Sequence, residues 1–310
     1  MDWLRAHVDL RLDAYRRHAL FVDGDRAHDK ISTHLTKLHS EGEVRALERD
    51  GELEAVVAWV YDEESWFGPP VYTVAVDHRL DADVQGWLRD TFGQLVPTLD
   101  AEWDFLLDAS YVPAYRVLRG LGVGVDSVQL VGDVDVAHAR LAPAPMPEGV
   151  RLEPMTVDDL DAMTALYAET FSRMPEYCWF GAHEGFLGRQ RDKAAEALAS
   201  DAHLEFVLRT DEGVQGHASA TVDHEGPFFG ATAGMSLCFA PALRGRGVLR
   251  PVYRRLLDGM KAQGARAFRG GTSQPPVMHL AREMGRTPQG VILRREPRFD
   301  DAHFAPFLPQ

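Results

Sequence analysis

The sequence predicts an α/β protein of two domains, each a mixed, mostly antiparallel sheet flanked by helices. Three observations support this fold class. Apolar residues switch repeatedly between strand and helix spacing, a proline-rich stretch interrupts the chain near its middle, and the two halves repeat each other weakly but in order. The 310 residues suit two domains of about 150 residues each. Apolar residues make up 45% of the chain, which is enough for hydrophobic cores.

The composition argues against several classes of function. The formal net charge of −14 is unfavourable for nucleic acid as the main partner, because phosphate binding requires a surplus of Lys and Arg. No apolar run approaches the roughly 20 residues that span a bilayer, and residues 1–7 lack the order of a signal peptide. Cys178 and Cys238 lie far apart, and the 13 histidines lack metal-ligand spacing. We therefore expect a cytoplasmic protein without a membrane partner or a bound metal.

Periodicity in the first half predicts alternating helices and strands. Residues 68–70, Gly-Pro-Pro, mark a hairpin turn, and Pro97 ends a helix. The predicted elements are helices at 4–15 and 27–39, strands at 53–61 and 71–76, a helix at 84–96, a strand at 103–107, a helix at 111–119 and a strand at 125–131.

Residues 141–149 separate the halves. They lack periodicity and contain three prolines within five residues, a composition typical of a stiff, extended linker. The predicted domains are therefore residues 1–140 and 150–310. A capping box is expected at residues 156–159. The predicted elements of the second half are a strand at 150–152, helices at 160–171 and 182–199, strands at 204–209, 215–222 and 232–239, a helix from 248 to 260, a strand at 266–270, a helix at 275–284 and a strand at 291–294.

Residues 241–249 connect the predicted strand 232–239 to the helix that follows. The unpaired N–H groups and the partial positive charge at a helix start favour an anion. Gly245 and Gly247 allow the backbone to approach a ligand closely, and Arg244 and Arg246 add charges suited to phosphate oxygens. The alternative is a solvated basic turn.

This stretch resembles the pyrophosphate-binding loop of the GNAT superfamily of acyl-CoA-dependent N-acyltransferases, in its Arg-Gly-x-Gly form. The element order of residues 149–297 also matches the GNAT fold. The resemblance implies a pair of parallel strands that splay apart to admit the pantetheine arm of acetyl-CoA or another acyl-CoA. It implies pantetheine contacts from the backbone of Leu237, Cys238 and Phe239. It implies further acyl-CoA contacts from Arg244, Gly245, Arg246, Gly247, Val248, Leu249 and Gln274.

The first half resembles a degenerate copy of the same domain. When its helix at Val84 is aligned with the helix at Val248, residues 80–83, Leu-Asp-Ala-Asp, stand in place of Arg244–Gly247. No glycine remains there. The carboxylates of Asp81 and Asp83 cap a helix well but repel a pyrophosphate. We therefore expect tandem GNAT-like domains with one functional acyl-CoA site.

Groups for proton transfer are less clear from the sequence. The family often places a Glu on the strand before the loop and a Tyr in a later helix, but residues 232–239 contain no carboxylate and Ala281 stands at the Tyr position. A solvated turn remains an alternative for His224, and a helix surface for His279. The thiolate of CoA could also leave unassisted. The candidates for acid or base are Asp223, His224, Glu225, Ser273 and His279.

An aromatic loop precedes the helix predicted at 182–199, where the family builds its acceptor pocket. Glu176, Tyr177, Trp179 and Phe180 would form a partly acidic wall suited to an amine. The alternative is a loop that anchors on the core through its aromatic rings.

The leading hypothesis is an N-acetyltransferase. It would transfer an acyl group from acetyl-CoA to an amine of a small-molecule or peptide acceptor, by direct attack in a ternary complex. Two alternatives remain: a non-catalytic acyl-CoA-binding or scaffolding protein, and a tandem aminoacyl- or peptidyltransferase that does not use CoA. The intact Arg-Gly-Arg-Gly favours CoA over the last. Whether the protein is a monomer or a homodimer stays open.

Overall fold

A computed structural model describes residues 3–22, 24–174, 177, 179–295 and 299–308. The chain divides into two compact units. The first consists of the described parts of Met1–Ser65, Pro70–Gln129 and Pro288–Gln310, and the second consists of those of Trp66–Pro69 and Leu130–Thr287. Among the described residues, no helix combines the length and the apolar character that crossing a membrane requires.

Helices and strands alternate along most of the chain. The elements of the first half are α1 (Trp3–Tyr15), α2 (Asp25–Glu41), β1 (Glu43–Arg49), β2 (Glu52–Asp62), β3 (Val71–His78), α3 (Gln85–Leu95), β4 (Glu102–Asp104), β5 (Leu106–Asp108), α4 (Val112–Gly120), β6 (Gly124–Asp133) and α5 (Val134–Arg140). Those of the second half are β7 (Arg151–Pro154), α6 (Leu160–Phe171), α7 (Glu184–Leu198), β8 (His203–Thr210), β9 (Gly213–Asp223), β10 (Thr232–Phe239), α8 (Leu249–Ala262), β11 (Ala267–Thr272), α9 (Pro275–Glu283), β12 (Thr287–Arg294) and α10 (Asp301–Phe304).

The first unit contains a sheet with the order β1-β2-β3-β4. β1, β2 and β3 are antiparallel neighbours, whereas β4 runs parallel to β3 and pairs with it only at Val71–Thr73. In the same unit, β12 pairs antiparallel with β5. The sheet therefore opens between its two parallel strands.

The second unit repeats this arrangement. Its strands lie in the order β7-β8-β9-β10-β11, with antiparallel pairing except between β10 and β11. The apolar side chains of alternate β9 residues pack with the buried face of α8, because successive side chains of a strand point to opposite faces. The other face of the sheet packs with α6 and α7. The α8 residues in the first of these cores are Val252, Tyr253, Leu256, Leu257 and Met260.

The structure differs from the predicted elements in a few places. β1, α5 and α10 were not predicted, and the strand expected at 103–107 is divided into β4 and β5. The capping box at 156–159 is present, formed by Thr156 and Asp159. The compact units divide within β6 rather than at the proline-rich residues 141–149, and residues 288–310 group with the first unit. The domain limits 1–140 and 150–310 therefore differ from the compact units and stay a prediction.

Candidate active site

A gap opens in the sheet between β10 and β11. The two strands pair with each other only at Thr232–Gly234 and Ala267–Arg269, and the rest of β10 has no pairing with the rest of β11. β10 continues to Phe239 with β9 as its partner. The splayed parallel pair expected from the sequence is therefore present in the second unit.

The backbone of β10 presents alternate residues to this gap. The N–H of Ala240 donates to the carbonyl of Gln215 on the β9 side, at 2.9 Å. Because the bonding direction alternates along an antiparallel strand, the N–H and C=O groups of Leu237 and Phe239 point to the opposite edge, into the gap. The backbone of Cys238 bonds toward β9. Leu237 and Phe239 can thus contact a pantetheine arm through their backbones as predicted, whereas Cys238 can do so only through its side chain.

A cavity of about 630 Å³ lies at the carboxyl end of β10. It extends past the start of α8 to α9, and Thr170 and Phe171 of α6 line another side. Its walls include all but one of the residues predicted to bind acyl-CoA. Those present are Leu237, Cys238, Phe239, Arg244, Gly245, Gly247, Val248, Leu249 and Gln274.

The glycine-rich loop has the conformation that its sequence requires. Gly245 and Gly247 have φ values of 74° and 81°, in the left-handed region that side chains with a Cβ rarely adopt. Among the residues that the structure describes, none apart from the chain neighbours of Gly247 has an atom within 4 Å of a Cβ built there, so the space beside it is open to a ligand. The loop leads into α8, which begins at Leu249 and whose first N–H groups lack partners within the helix. The loop is therefore a cradle suited to a phosphate group.

The two arginines of the loop have different roles. Arg244 lines the cavity, whereas Arg246 does not; its Nη2 donates to the carbonyl of Glu148 at 2.7 Å. The structure instead brings Arg250, in the first turn of α8, to the cavity wall. The guanidinium of Arg250 donates twice to the carboxylate of Glu283, with both bonds at 2.6 Å. Arg250 was missed because the sequence motif ends before it.

Three predicted site residues belong to the α9 region, and two of them line the cavity. Gln274 is the N-cap residue of α9 and lines the cavity, with its Nε2 donating to Ser273 Oγ at 3.3 Å. Ser273 is fully buried and is not among the lining residues. His279 is exposed on α9 and lines the cavity.

The turn at Asp223, His224 and Glu225 lies at the other end of the strand. In the β9–β10 register, Asp223 pairs with Thr232, whereas Phe239 pairs with Gly216. Seven residues of a strand span about 23 Å, so this turn is far from the loop at 241–249. All three side chains are exposed. The structure therefore does not bring these three candidates to the large cavity.

Asp223 lines a second cavity, of about 220 Å³. Gly234 of β10, Lys193 of α7 and Arg269 of β11 also line it. The second cavity thus lies along the amino-terminal part of β10 and carries charges of both signs. A small ligand with an amine and an anionic group would fit these charges.

The aromatic loop supports the cavity wall from behind. Tyr177 packs on Phe171 with tilted rings at a centroid distance of 4.7 Å, and Phe180, which is 4% exposed, packs on both residues. Phe171 lines the large cavity, whereas Tyr177, Trp179 and Phe180 do not. These rings match the alternative of a loop anchored on the core. The fourth predicted acceptor residue, Glu176, lies outside the described residues.

A residue from the first half joins the same aromatic cluster. Phe67, in the segment Trp66–Pro69 of the second unit, lies 5.1 Å from the ring of Trp179 and 5.0 Å from that of Phe180. Arg189 of α7 donates its Nε–H to the carbonyl of Trp66 at 2.8 Å. The sequence predicted only a hairpin turn at residues 68–70. In the structure, residues Trp66 and Phe67 beside this turn also support the predicted acceptor loop.

A row of four polar side chains was missed by the sequence analysis. Nε2 of His217 lies 2.7 Å from Oε2 of Glu205, and its Nδ1 lies 3.1 Å from the hydroxyl of Tyr167. That hydroxyl also lies 3.1 Å from Oγ of Ser236. The signal in the sequence is the alternation of polar residues in β9, where His217 is followed by Ser219 and Thr221.

Burial keeps two of the nearby groups protonated. It raises the pKa of the Tyr167 phenol well above its usual value, although the hydrogen bond with Ser236 opposes the shift. It raises the pKa of the Cys238 thiol to about 12. Cys238 therefore remains a thiol near neutral pH and is unsuited to act as a nucleophile.

The corresponding place in the first unit is filled. Tyr111 is the N-cap residue of α4, as Gln274 is of α9. Its ring is buried and packs on that of His78 with tilted planes, at a centroid distance of 4.5 Å. Its hydroxyl donates to the buried carboxylate of Asp77 at 3.0 Å. Asp77 and His78 are the last two residues of β3, as Cys238 and Phe239 are of β10.

A separate cavity of about 630 Å³ in the first unit is lined by both apolar and charged side chains. Arg17 and Arg79 are outnumbered there by carboxylates, and Asp81 is paired with Arg79. This excess of negative charge is unfavourable for a pyrophosphate. The lining carboxylates are Asp9, Asp13, Glu52 and Asp81.

Comparison with solved structures identifies the fold. A GCN5-related N-acetyltransferase from Sphaerobacter thermophilus matches with a TM-score of 0.59 and 16% identity, over 95% of this chain and 94% of that chain. A GNAT-family acetyltransferase from Colwellia psychrerythraea matches with a TM-score of 0.52 and 10% identity, over 95% and 97%. A tandem GNAT protein from the clavulanic acid biosynthesis pathway matches with a TM-score of 0.50 and 13% identity, over 96% and 97%.

The chain therefore has the fold of the GCN5-related N-acetyltransferases, and the predicted fold class is confirmed. No protein-family model matches the chain, and no curated protein matches it in sequence. At these identities the likeness concerns the fold, and the chemistry has to be inferred from the chain's own residues.

Proposed function

We propose that this protein is an acyl-CoA-dependent N-acyltransferase that uses acetyl-CoA. The observation that carries the proposal is the continuous cavity from the gap beside β10 to the glycine-rich loop at the start of α8. Such a cavity combines an anion-binding loop with an extended slot that is lined by backbone N–H and C=O groups. CoA has the matching shape, because its phosphate groups are followed by an extended pantetheine arm.

The residues present fit acyl-CoA. Arg244 and the N–H groups at the start of α8 would hold the pyrophosphate, because both the charge and the unpaired donors favour an anion. The backbones of Leu237 and Phe239 would pair with the amides of the pantetheine arm, with Gln274 at the opposite wall. Bound acyl-CoA supplies the thioester whose carbonyl carbon is attacked.

The acceptor would approach from the second cavity. Gly234 lines that cavity, and Leu237 lines the large one, so the two cavities meet β10 within a few residues of each other. Asp223 would then contact the acceptor rather than transfer a proton at the thioester. A small-molecule or peptide amine would react directly in a ternary complex. The first half would act as a degenerate copy, because Tyr111 fills the gap that an acyl-CoA would need.

The decisive test is thiol release from acetyl-CoA in the presence of a panel of amines, with calorimetry of CoA binding in parallel. We expect CoA binding and amine-dependent thiol release, with the acetylated amine detected by mass spectrometry. Binding without release by any amine would indicate the scaffolding alternative. Absence of CoA binding would contradict the proposal outright.

A further inference from the structure

The polar row of the second unit joins four different elements. Tyr167 belongs to α6, Glu205 to β8, His217 to β9 and Ser236 to β10. The side chains of His217 and Glu205 are 5% and 8% exposed, and Tyr167 is 2% exposed, so most of the row is shielded from water. Buried polar groups that are linked by a chain of hydrogen bonds polarise one another and hold a single arrangement. The row is therefore a fixed path between β8 and β10.

The hydrogen bonds of this row run in one direction. A carboxylate only accepts, so the Glu205 carboxylate assigns the proton of a neutral His217 ring to Nε2. Nδ1 then accepts from the hydroxyl of Tyr167. The oxygen of Tyr167 in turn accepts from the hydroxyl of Ser236. A proton entering at Ser236 can thus be passed to His217, where the carboxylate of Glu205 stabilises the imidazolium that forms.

The Ser236 end of the row lies between the two cavities. Along β10, Gly234 lines the second cavity and Leu237 lines the large one, and Ser236 stands between them. Ser236 is half-buried, unlike the interior members of the row. The row therefore starts where an amine from one cavity and a thioester in the other would meet.

We propose that Ser236, Tyr167, His217 and Glu205 form a proton relay that deprotonates the ammonium group of the acceptor. The inference rests on the proposed N-acyltransferase function. The family often places a Glu on the strand before the glycine-rich loop, and this chain has no carboxylate there. The proposal gives the role of that Glu to residues that the GNAT resemblance did not indicate.

The proton passes from the ammonium nitrogen to Ser236 while the hydroxyl protons of Ser236 and Tyr167 shift along the row, and His217 becomes protonated. The neutral amine nitrogen then forms a bond to the acyl carbon as the carbon–sulfur bond breaks. The second proton on that nitrogen goes to the departing sulfur, giving an amide and a thiol. His217 returns its proton to solvent through the same row.

Another group that faces His217 is compatible with this role. Cys238 is its partner in the β9–β10 register, and its Sγ donates toward the carbonyl of Leu166 at 4.0 Å. Because the thiol is buried and neutral, it does not compete with Glu205 as a counter-charge. The phenol of Tyr167 likewise passes a proton without ionising, since burial raises its pKa.

The test compares Tyr167→Phe and His217→Gln with Ser219→Ala. Ser219 is a matched control on the same face of β9, because it pairs with both Glu205 and Ser236 in the strand registers. For a strongly basic amine, we expect kcat to fall roughly a hundred- to ten-thousandfold in the first two variants. For a weakly basic amine that is already neutral at the assay pH, the loss should be less than about tenfold, since the relay is then not needed. Ser219→Ala should retain wild-type rates, and the Kd of acetyl-CoA should stay unchanged in all three.

Histidine ¹⁵N NMR of the protein without ligand gives a second readout. His217 should show a protonated Nε2 and an unprotonated Nδ1, and the Nδ1 resonance should shift in Tyr167→Phe, which removes only the hydroxyl. An equal loss for strongly and weakly basic amines, or a protonated Nδ1, would overturn the relay. Wild-type rates in His217→Gln would do the same while leaving the acyltransferase intact. A wild-type protein that releases no thiol would overturn both proposals together.

Discussion

The separate placement of the two loop arginines leads to a sharp prediction about acyl-CoA affinity. Arg244 lines the large cavity, whereas Arg246 donates to the carbonyl of Glu148. Both side chains are exposed, belong to the same loop and carry the same charge. Arg244→Ala and Arg246→Ala are therefore matched variants, which differ in whether the lost guanidinium faces the proposed pyrophosphate.

The expected loss follows from the strength of a charge-assisted hydrogen bond. Such a bond is worth about 1.5–3 kcal/mol, and about 1.4 kcal/mol changes a Kd tenfold. Because Arg244 is exposed and screened by solvent, the lower end applies, and Arg244→Ala should weaken acetyl-CoA binding about tenfold. Arg246→Ala should change the Kd less than about threefold. It should instead lower the free energy of unfolding by about 1 kcal/mol, because its bond to Glu148 is lost.

Isothermal titration with acetyl-CoA measures the affinities, and urea denaturation measures the stabilities. The loss in Arg244→Ala should shrink as salt is raised from 50 to 500 mM, because the wild-type attraction is then already screened. Equal losses in both variants would refute the assignment, and a larger loss in Arg246→Ala would reverse it. Wild-type affinity in both would remove the anion cradle from the proposed site.

The first unit should contribute no second acyl-CoA site, because Tyr111 fills the corresponding gap; calorimetry giving two equivalent sites per chain would contradict this. Phe67→Ala should lower the free energy of unfolding by about 1–2 kcal/mol and leave the KM values of acceptor and acetyl-CoA unchanged, since Phe67 packs on Trp179 and Phe180 of the core-anchored loop; a several-fold rise in the KM of the acceptor at unchanged stability would instead place this cluster at the acceptor site. Burial lowers the pKa of His7 below its ordinary 6.5. The unfolded chain therefore binds a proton at His7 more tightly than the folded protein does, so the free energy of unfolding should fall as the pH drops below about 6.5. Denaturation between pH 7.5 and 5 should show a smaller decrease in the free energy of unfolding for His7→Gln, a variant that keeps a polar partner for Asp77. An identical pH dependence in the variant and the wild type would contradict the role of His7.

The glycine-rich loop could be predicted from sequence because its determinants are local. An apolar strand, two glycines at positive φ and an amphipathic helix follow one another within about 30 residues, and each has its own signature. Arg246 shows the limit of this approach. A motif gives the residue types at a ligand, but the direction of a long side chain depends on neighbours such as Glu148, about a hundred positions away.

The acid and base candidates show a different limit. Asp223, His224 and Glu225 lie close in sequence to the strand beside the cavity. The hairpin register nevertheless places them at its far end. The same register brings His217 next to Cys238, and α6 then places Tyr167 within 3.1 Å of both His217 and Ser236. No local pattern joins these residues, since they belong to four different elements and Tyr167 and Ser236 lie 69 positions apart in the chain.

By itself, the sequence determined most element types and the glycine-rich turn that connects β10 to α8. These properties depend on periodicity and turn chemistry within short windows. Tertiary structure alone decided that β10 and β11 separate after Gly234, that the buried Tyr111 bonds to Asp77 at the end of β3, and that four distant side chains form one polar row. The physical reason is that strand order and register set the distances between residues far apart in the chain. Strand order and register result from the packing of the whole sheet, not from any single segment.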